Sequence, residues 1–248
     1  MTSSFDNSFR VVLLDIEGTT TPVEFVYQTL FPYARKRLPD YLAQNFSSPD
    51  VRAVLKQLRE ENLQDTSNRL NPPLIANESS ADELPSVIAY LHWLMDADRK
   101  STPLKTLQGM IWEAGYKSGE LHSKVFADVP QAFIKWSSQR KTIAIFSSGS
   151  VLAQKLLFAH TAAGDLTKFI GAYFDTNIGA KREAVSYQRI ADALQQSTHD
   201  IIFLSDMVAE LDAAQAAGMQ TALCARPNNT LQPDAHHSII QTFDEMFQ

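Results

Sequence analysis

Apolar positions along this chain follow two rhythms. Val11-Val12-Leu13-Leu14, TIAIFS from Thr142 to Ser147, IIFLSD (201–206) and TALCA (221–225) are short unbroken runs, and GAYFD (171–175) is a fifth, weaker one. Such runs, bounded by Gly or polar residues, predict strands buried on both faces, as in a parallel sheet. Between them the spacing changes to three and four. Val129, Ala132, Phe133 and Trp136 share one helical face, as do Leu152, Leu156, Leu157 and Ala159, and Ala184, Tyr187, Ile190, Ala191 and Leu194. MVAELDAAQAAG reads as a further helix ended by Gly218, and Ile239 to Phe247 as a closing one.

From Phe25 to about Lys124 the strand rhythm disappears. Val26, Leu30, Tyr33, Ala34, Leu38 and Leu42 have helical spacing, but Pro32 and Pro39 leave one helix or two short ones equally open. Ser48-Pro49 marks a helix start, with Val51, Val54, Leu55 and Leu58 following. Two more helices run from Leu84 to Met95 and onward from Thr102-Pro103, the latter carrying Leu104, Leu107, Ile111 and Trp112. Strands alternating with helices imply right-handed crossovers. The expected architecture is therefore an α/β, doubly wound, Rossmann-like parallel-sheet core with an inserted α-helical cap. Residues 1–22 and 125–248 form the core and residues 23–124 the cap, closing over the carboxyl end of the first strand.

In open α/β sheets, ligands bind beyond the carboxyl ends of the strands. Here those ends carry Asp15 and Glu17, Ser147 and Ser148, Asp175, and Asp206, with Lys181 in the turn after the third strand in sequence. The pair Asp15 and Glu17 alone could hold a hard cation, attack an electrophile, divide acid and base roles, or only cap a turn. The convergence favours a phosphate site with a metal. Asp15 and Asp206 would hold Mg²⁺, Ser147 with the following amides and Lys181 would bind phosphate oxygens, and Asp15 would attack phosphorus.

Composition narrows the partners. With 248 residues, 44% hydrophobic and 20% charged, the chain can bury a real core. A formal net charge of −6 disfavours nucleic acid and anionic lipid as partners. The one cysteine, Cys224, sits in an apolar run and rules out an internal disulfide. No apolar run approaches the ~18 residues of a membrane span, and MTSSFDNSFR lacks the form of a secretory signal. A cytoplasmic protein that meets no membrane is the expectation.

The order D-I-E-G-T, I-F-S-S-G, G-A-K and L-S-D-M-V-A-E resembles the motifs of the haloacid dehalogenase (HAD) superfamily, with two departures. The second acid is Glu17 where that superfamily usually has Asp, and Glu210 stands where another Asp is usual. DIEGTTTPVEFV, TLFPYA, LKTLQGMIW, FADVPQAF, SSGSVLAQKLLF and FDTNIGAKRE together resemble the enolase-phosphatase family of methionine salvage, across nearly the whole chain. The resemblance implies conversion of 2,3-diketo-5-methylthiopentyl-1-phosphate to an enol phosphate and then to 1,2-dihydroxy-3-keto-5-methylthiopentene, an acireductone. It also implies one Mg²⁺ per subunit on Asp15, Glu17 and Asp206, substrate contacts at Ser147, Ser148 and Lys181, and a monomer. Asp15, Glu17 and Lys181 are then the catalytic candidates, with Glu17 as acid/base and candidate enolisation base.

Plainer readings stand beside these. Ser148 and Ser150 could cap the next helix, Lys181 could be a solvated turn lysine, and Glu210 could support the metal indirectly or face solvent. His122 and His160 read as packing or surface residues, and His236-His237 as part of a loop with Pro233 and Asp234. Phe25, Tyr27, Phe31 and Trp112 read mostly as helix packing. The rival functions are a capped HAD phosphatase for another small phosphorylated metabolite, a dehalogenase, and a non-catalytic HAD-like binding module.

Overall fold

The computed structural model describes residues 8–227 and 236–247. Most of the N-terminal stretch read for a secretory signal lies outside those residues, as do Pro233 and Asp234. The chain divides into two compact units, Met1–Val26 with His122–Gln248, and Tyr27–Leu121.

In chain order, strand β1 (Val11–Leu14) comes first, followed by a short helix α1 (Val23–Phe25) and a π turn (Val26–Leu30). Helices α2 (Phe31–Asn45), α3 (Pro49–Ser67), α4 (Glu83–Asp96) and α5 (Thr102–Lys117) follow. The alternating half then runs α6 (Val129–Ser138), β2 (Thr142–Phe146), α7 (Val151–Ala159), β3 (Ile170–Phe174), α8 (Ala184–Leu194), β4 (Ile201–Ser205), α9 (Val208–Ala216), β5 (Gln220–Cys224) and β6 (Ser238–Ile240).

The helical unit is built as its apolar spacing dictates. Leu38 and Leu42 of α2, Val51, Leu55 and Leu58 of α3, Val87 and Leu91 of α4, and Leu107 and Ile111 of α5 are all buried. Ser48 Oγ accepts from the Val51 amide at 3.3 Å and Ser101 Oγ from the Leu104 amide at 3.3 Å, capping α3 and α5. Of the two readings left open at Pro39, the unbroken one holds, because α2 runs through it. Burial of Ala34, Leu38 and Leu42 on both sides holds the helix together across the missing donor. Tyr27 and Phe31 are exposed, yet their rings pack on one another at 5.6 Å and Phe31 on Trp112 at 6.1 Å.

The sheet is parallel throughout, in the order β3-β2-β1-β4-β5-β6. β1 lies between β2 and β4, with Leu14 level with Ile145 on one side and Leu204 on the other. The direction of winding reverses there, so the end of β1 is the topological switch point where such sheets place ligands. All four residues of β1 are buried, which explains its uninterrupted apolar sequence. Val11 and Leu13 pack with Phe146, Tyr187, Ile190, Phe203 and Leu211 in one core layer.

The closing segment is not the helix expected from Ile239 to Phe247. Ser238–Ile240 pairs with the edge of β5 as β6, and only Phe243–Phe247 is helical, as a 3₁₀ turn. Two adjacent β-branched residues beside an open strand edge favour pairing, and Ile240, Phe243 and Met246 are then buried.

Candidate active site

The turn after β1 is folded tightly on its own backbone. The Asp15 amide continues the sheet by donating to Leu204 O at 3.0 Å. The amides of Thr19, Thr20 and Thr21 all converge on Ile16 O, at 3.2, 3.0 and 2.9 Å. Gly18 takes a φ of +70°, a left-handed conformation that costs glycine nothing. The Ile16 amide donates to Asp15 Oδ1 at 2.8 Å, and the Thr20 hydroxyl to Asp15 O at 3.1 Å. Asp15, only 3% exposed, is fixed in orientation.

Lys181 arrives opposite it. Its Nζ lies 2.6 Å from Asp15 Oδ1 and 2.6 Å from Glu210 Oε2. The turn that delivers it depends on Gly179, whose φ is +146°, and where a Cβ would overlap the Ser186 hydroxyl. Ser186 Oγ donates to Ala180 O at 2.7 Å, and the buried Tyr187 hydroxyl donates to Lys181 O at 2.7 Å. Ser205, the last residue of β4, has its Oγ 3.1 Å from Glu210 Oε2 and 3.4 Å from Asp15 Oδ2. With one proton it serves one of the two carboxylates at a time.

Ser147 stands at the end of β2, 1% exposed, and its hydroxyl donates to Glu17 Oε2 at 3.4 Å while accepting from the Gly149 amide at 3.1 Å. Gln154 ties this turn down, donating from Nε2 to Gly149 O at 2.9 Å and to Phe174 O at 2.8 Å. Ser150 caps α7 through the Ala153 amide at 3.3 Å. Ser148 is exposed on the turn. Asp175 does not join the cluster through its carboxylate, which accepts the Asn177 amide at 2.9 Å within its own loop.

Asp15, Glu17, Asp206 and Glu210 place four carboxyl groups on this edge beside the Lys181 amine, and the charges shape one another. Burial, then the Asp15 charge, raises Glu17 above its ordinary value of 4.5. Burial, Asp15 and Glu210 push Asp206 up to about 7, and burial with Asp15 pushes Glu210 up to about 7. Burial alone would lower Lys181, but Asp15 and Glu210 outweigh it and hold the amine firmly charged. Hard oxygen donors with unbalanced negative charge suit a hard divalent cation. Among the described residues no three such side chains already form a closed metal cluster.

Of the residues singled out from sequence, Asp15 and Lys181 are in direct contact, Glu17 contacts Ser147, and Asp206 follows β4 directly, close enough for the charges of Asp15 and Lys181 to bear on it. Glu210 belongs to the centre of the cluster, which settles it against a solvent-facing role. Ser205, Gln154 and Tyr187 were missed as site residues. A serine next to Asp206 was the only local signal for the first, and the other two act through contacts no short motif encodes.

Residues 9–218 match the family model described as haloacid dehalogenase-like hydrolase. The enolase-phosphatase E1 of Synechococcus elongatus is 49% identical over 239 residues, covering 96% of this chain and 98% of that protein. The enolase-phosphatase E1 of Sorangium cellulosum is 45% identical, covering 96% and 97%. Among solved structures, the UTR4 protein of Saccharomyces cerevisiae superimposes with a TM-score of 0.78 at 34% identity, covering 95% of this chain and 99% of that one. With its parallel sheet and its cluster of acids and lysine at the switch point, this chain belongs to the enolase-phosphatase E1 family of haloacid dehalogenase-like hydrolases.

Proposed function

We propose that this enzyme converts 2,3-diketo-5-methylthiopentyl-1-phosphate to its enol phosphate, and then to 1,2-dihydroxy-3-keto-5-methylthiopentene and phosphate. The observation that carries the reading is the Asp15–Lys181–Glu210 contact at the switch point, with Glu17 on Ser147 beside it. In the first step a base takes the proton from C1, between the ester and the C2 carbonyl, and the proton is returned to the enolate oxygen. Glu17 is the base in this reading. Its raised pKa strengthens its hold on a proton and so suits both taking one and giving one back. The Lys181 ammonium offsets the charge that gathers on oxygen.

In the second step Asp15 attacks phosphorus to give an aspartyl phosphate, and Glu17, which has taken a new proton from solvent after the enolisation, gives it to the leaving oxygen. Glu17 then takes a proton from water as water attacks phosphorus and frees Asp15. Ser147 and Ser148 bind the phosphoryl oxygens, with the Ser147 turn held rigid by Gln154. The donor set fits Mg²⁺ on Asp15 and Asp206, with Glu17 adjacent, where it would polarise the phosphoryl oxygens and offset their charge. The reading carries with it a monomeric, cytoplasmic enzyme. Among the described residues no helix is long and apolar enough to cross a membrane.

The test is a panel of diketo and sugar phosphates with Mg²⁺, followed for enol absorbance and for phosphate. Enol absorbance rising before phosphate, from the diketo ester alone, is the expected result. Phosphate release without an enol, or preference for a sugar phosphate, would instead favour a capped phosphatase for another metabolite.

A further inference from the structure

We infer that Arg226 is a positioning residue for the reacting acids: it holds the turn that carries Asp15 and Glu17 from behind. The inference rests on those two acids as the reacting groups. Arg226 lies just beyond β5 and is only 4% exposed. Its guanidinium is clamped between the rings of Phe126 and Phe243, with centroids 4.6 and 4.3 Å away. Nη1 donates to Asp128 Oδ2 at 2.7 Å and to Gln241 O at 3.0 Å, and Nε donates to Thr19 O at 2.9 Å.

The last of these bonds matters most. The amides of Thr19, Thr20 and Thr21 are spent on Ile16 O and that of Gly18 on Thr21 O, which leaves the carbonyls of Thr19 and Thr20 to partners outside the turn. Both are taken by residues remote in sequence: Thr19 O by Arg226, and Thr20 O by the Phe126 amide at 3.0 Å. Asp128, which balances the Arg226 charge, also accepts the Phe243 amide at 2.6 Å. One buried ion pair thus joins the reacting turn, the start of α6 and the closing segment.

An ion pair in an apolar setting is a poor stabiliser, since well-packed apolar residues of similar volume often do as well. Among the described residues Arg226 is not even hydrogen-bonded to capacity, because its Nη2 is buried with no partner there. The geometry that does use it is the charge-assisted bond to Thr19 O, two residues from Glu17 and four from Asp15. None of its hydrogen bonds reaches a carboxylate of the site, so its influence passes through the turn.

The test compares wild type with Arg226→Lys, Arg226→Met and Asp128→Asn, on the diketo phosphate and on p-nitrophenyl phosphate, for protein whose near-UV circular dichroism matches wild type. Misplacing reacting groups lowers kcat, whereas a purely structural role lowers only the amount of folded protein. Arg226→Lys should lose roughly tenfold to a hundredfold in kcat on both esters, with KM within about threefold, and Arg226→Met should lose more. Wild-type kcat per folded molecule, together with a lower melting temperature, would overturn the inference. Should neither Arg226 variant fold, Asp128→Asn decides, because it keeps an acceptor for Phe243 while loosening the guanidinium. A fall in its kcat at constant KM supports the inference, and an unchanged kcat overturns it. Wild-type protein that frees phosphate from neither ester would overturn the proposed function and this inference together, whereas unchanged variants overturn this inference alone.

Discussion

Glu83→Gln offers a sharp test of how the helical unit is held together. Glu83 is 4% exposed, and each of its oxygens is committed. Oε1 accepts from Arg52 Nη1 at 2.8 Å and Arg59 Nη2 at 2.7 Å, and Oε2 accepts from the Ser79 amide at 2.7 Å. A glutamine has one acceptor and one NH₂. If its oxygen faces the arginines, its NH₂ meets the Ser79 amide; if it flips, its NH₂ meets two guanidinium groups. Either way a donor faces a donor in a buried place. Breaking a buried ion pair costs about 3–5 kcal/mol, and hydrogen bonds to charged groups contribute about 1.5–3 kcal/mol each. Arg52 and Arg59 keep some contact with water, at 34% and 19% side-chain exposure, which lowers the figure. A loss of roughly 2–4 kcal/mol follows, which is roughly 5–15 °C in melting temperature for a chain of this size.

The pH dependence has a definite sign. Burial by itself would raise the Glu83 carboxyl, but the Ser79 amide and the two arginines outweigh it and lower it below 4.5. A depressed acid contributes its stability above the unfolded value and loses it as pH falls through the folded one. Thermal melting of wild type and variant, at neutral pH and in steps below 4.5, is the assay. The gap should be full at neutral pH and narrow on acidification. A gap under ~1 °C at neutral pH, or one that widens in acid, would refute the reasoning.

Glu17→Gln should abolish phosphate release by ~100-fold or more while cation binding, followed by calorimetry, survives; unchanged turnover would remove Glu17 from the acid/base role, and lost binding would make it mainly a ligand. Gly179→Ala forces a side chain to a φ of +146° and into Ser186, so the Lys181 turn must shift; kcat/KM should fall at least about tenfold, and wild-type kinetics would show that the turn does not set the position of Lys181. Chelation with EDTA should stop phosphate release and added Mg²⁺ restore it; turnover that resists a chelator would exclude a metal requirement.

Much of the core was legible because its strands are buried on both faces. Val11 to Leu14, Ile143 to Phe146 and Ile201 to Leu204 could be read as strands without knowing their neighbours, and each runs directly into a polar residue of the site. β6 was not legible, because three residues carry no period and its pairing depends on the open edge of β5. Pro39 left one helix or two open because a strong local rule competes with packing, and burial along α2 decides for one. The place of Glu210 was left open because a helix position four residues past Asp206 can face the site or solvent, and the Lys181 and Ser205 contacts decide. His237, given no role in sequence, is buried, with its ring 2.8 Å from the Thr221 hydroxyl and 3.1 Å from Asp212.

The position of β1 in the middle of the sheet also governs how this chain can be made. Val11 pairs with Thr142 on one side and Ile201 on the other. At ~5–20 residues per second of synthesis, the second partner leaves the ribosome roughly 10–40 s after β1 does. Until then four consecutive apolar residues have an unpaired edge, and pairing between such distant segments is slow in itself. The unit Tyr27–Leu121 is continuous in sequence and leaves the ribosome before β2 does. The nascent chain should therefore gain protease-resistant helix first and phosphatase activity last, and the interval between them is when it is most exposed to aggregation and most dependent on chaperones.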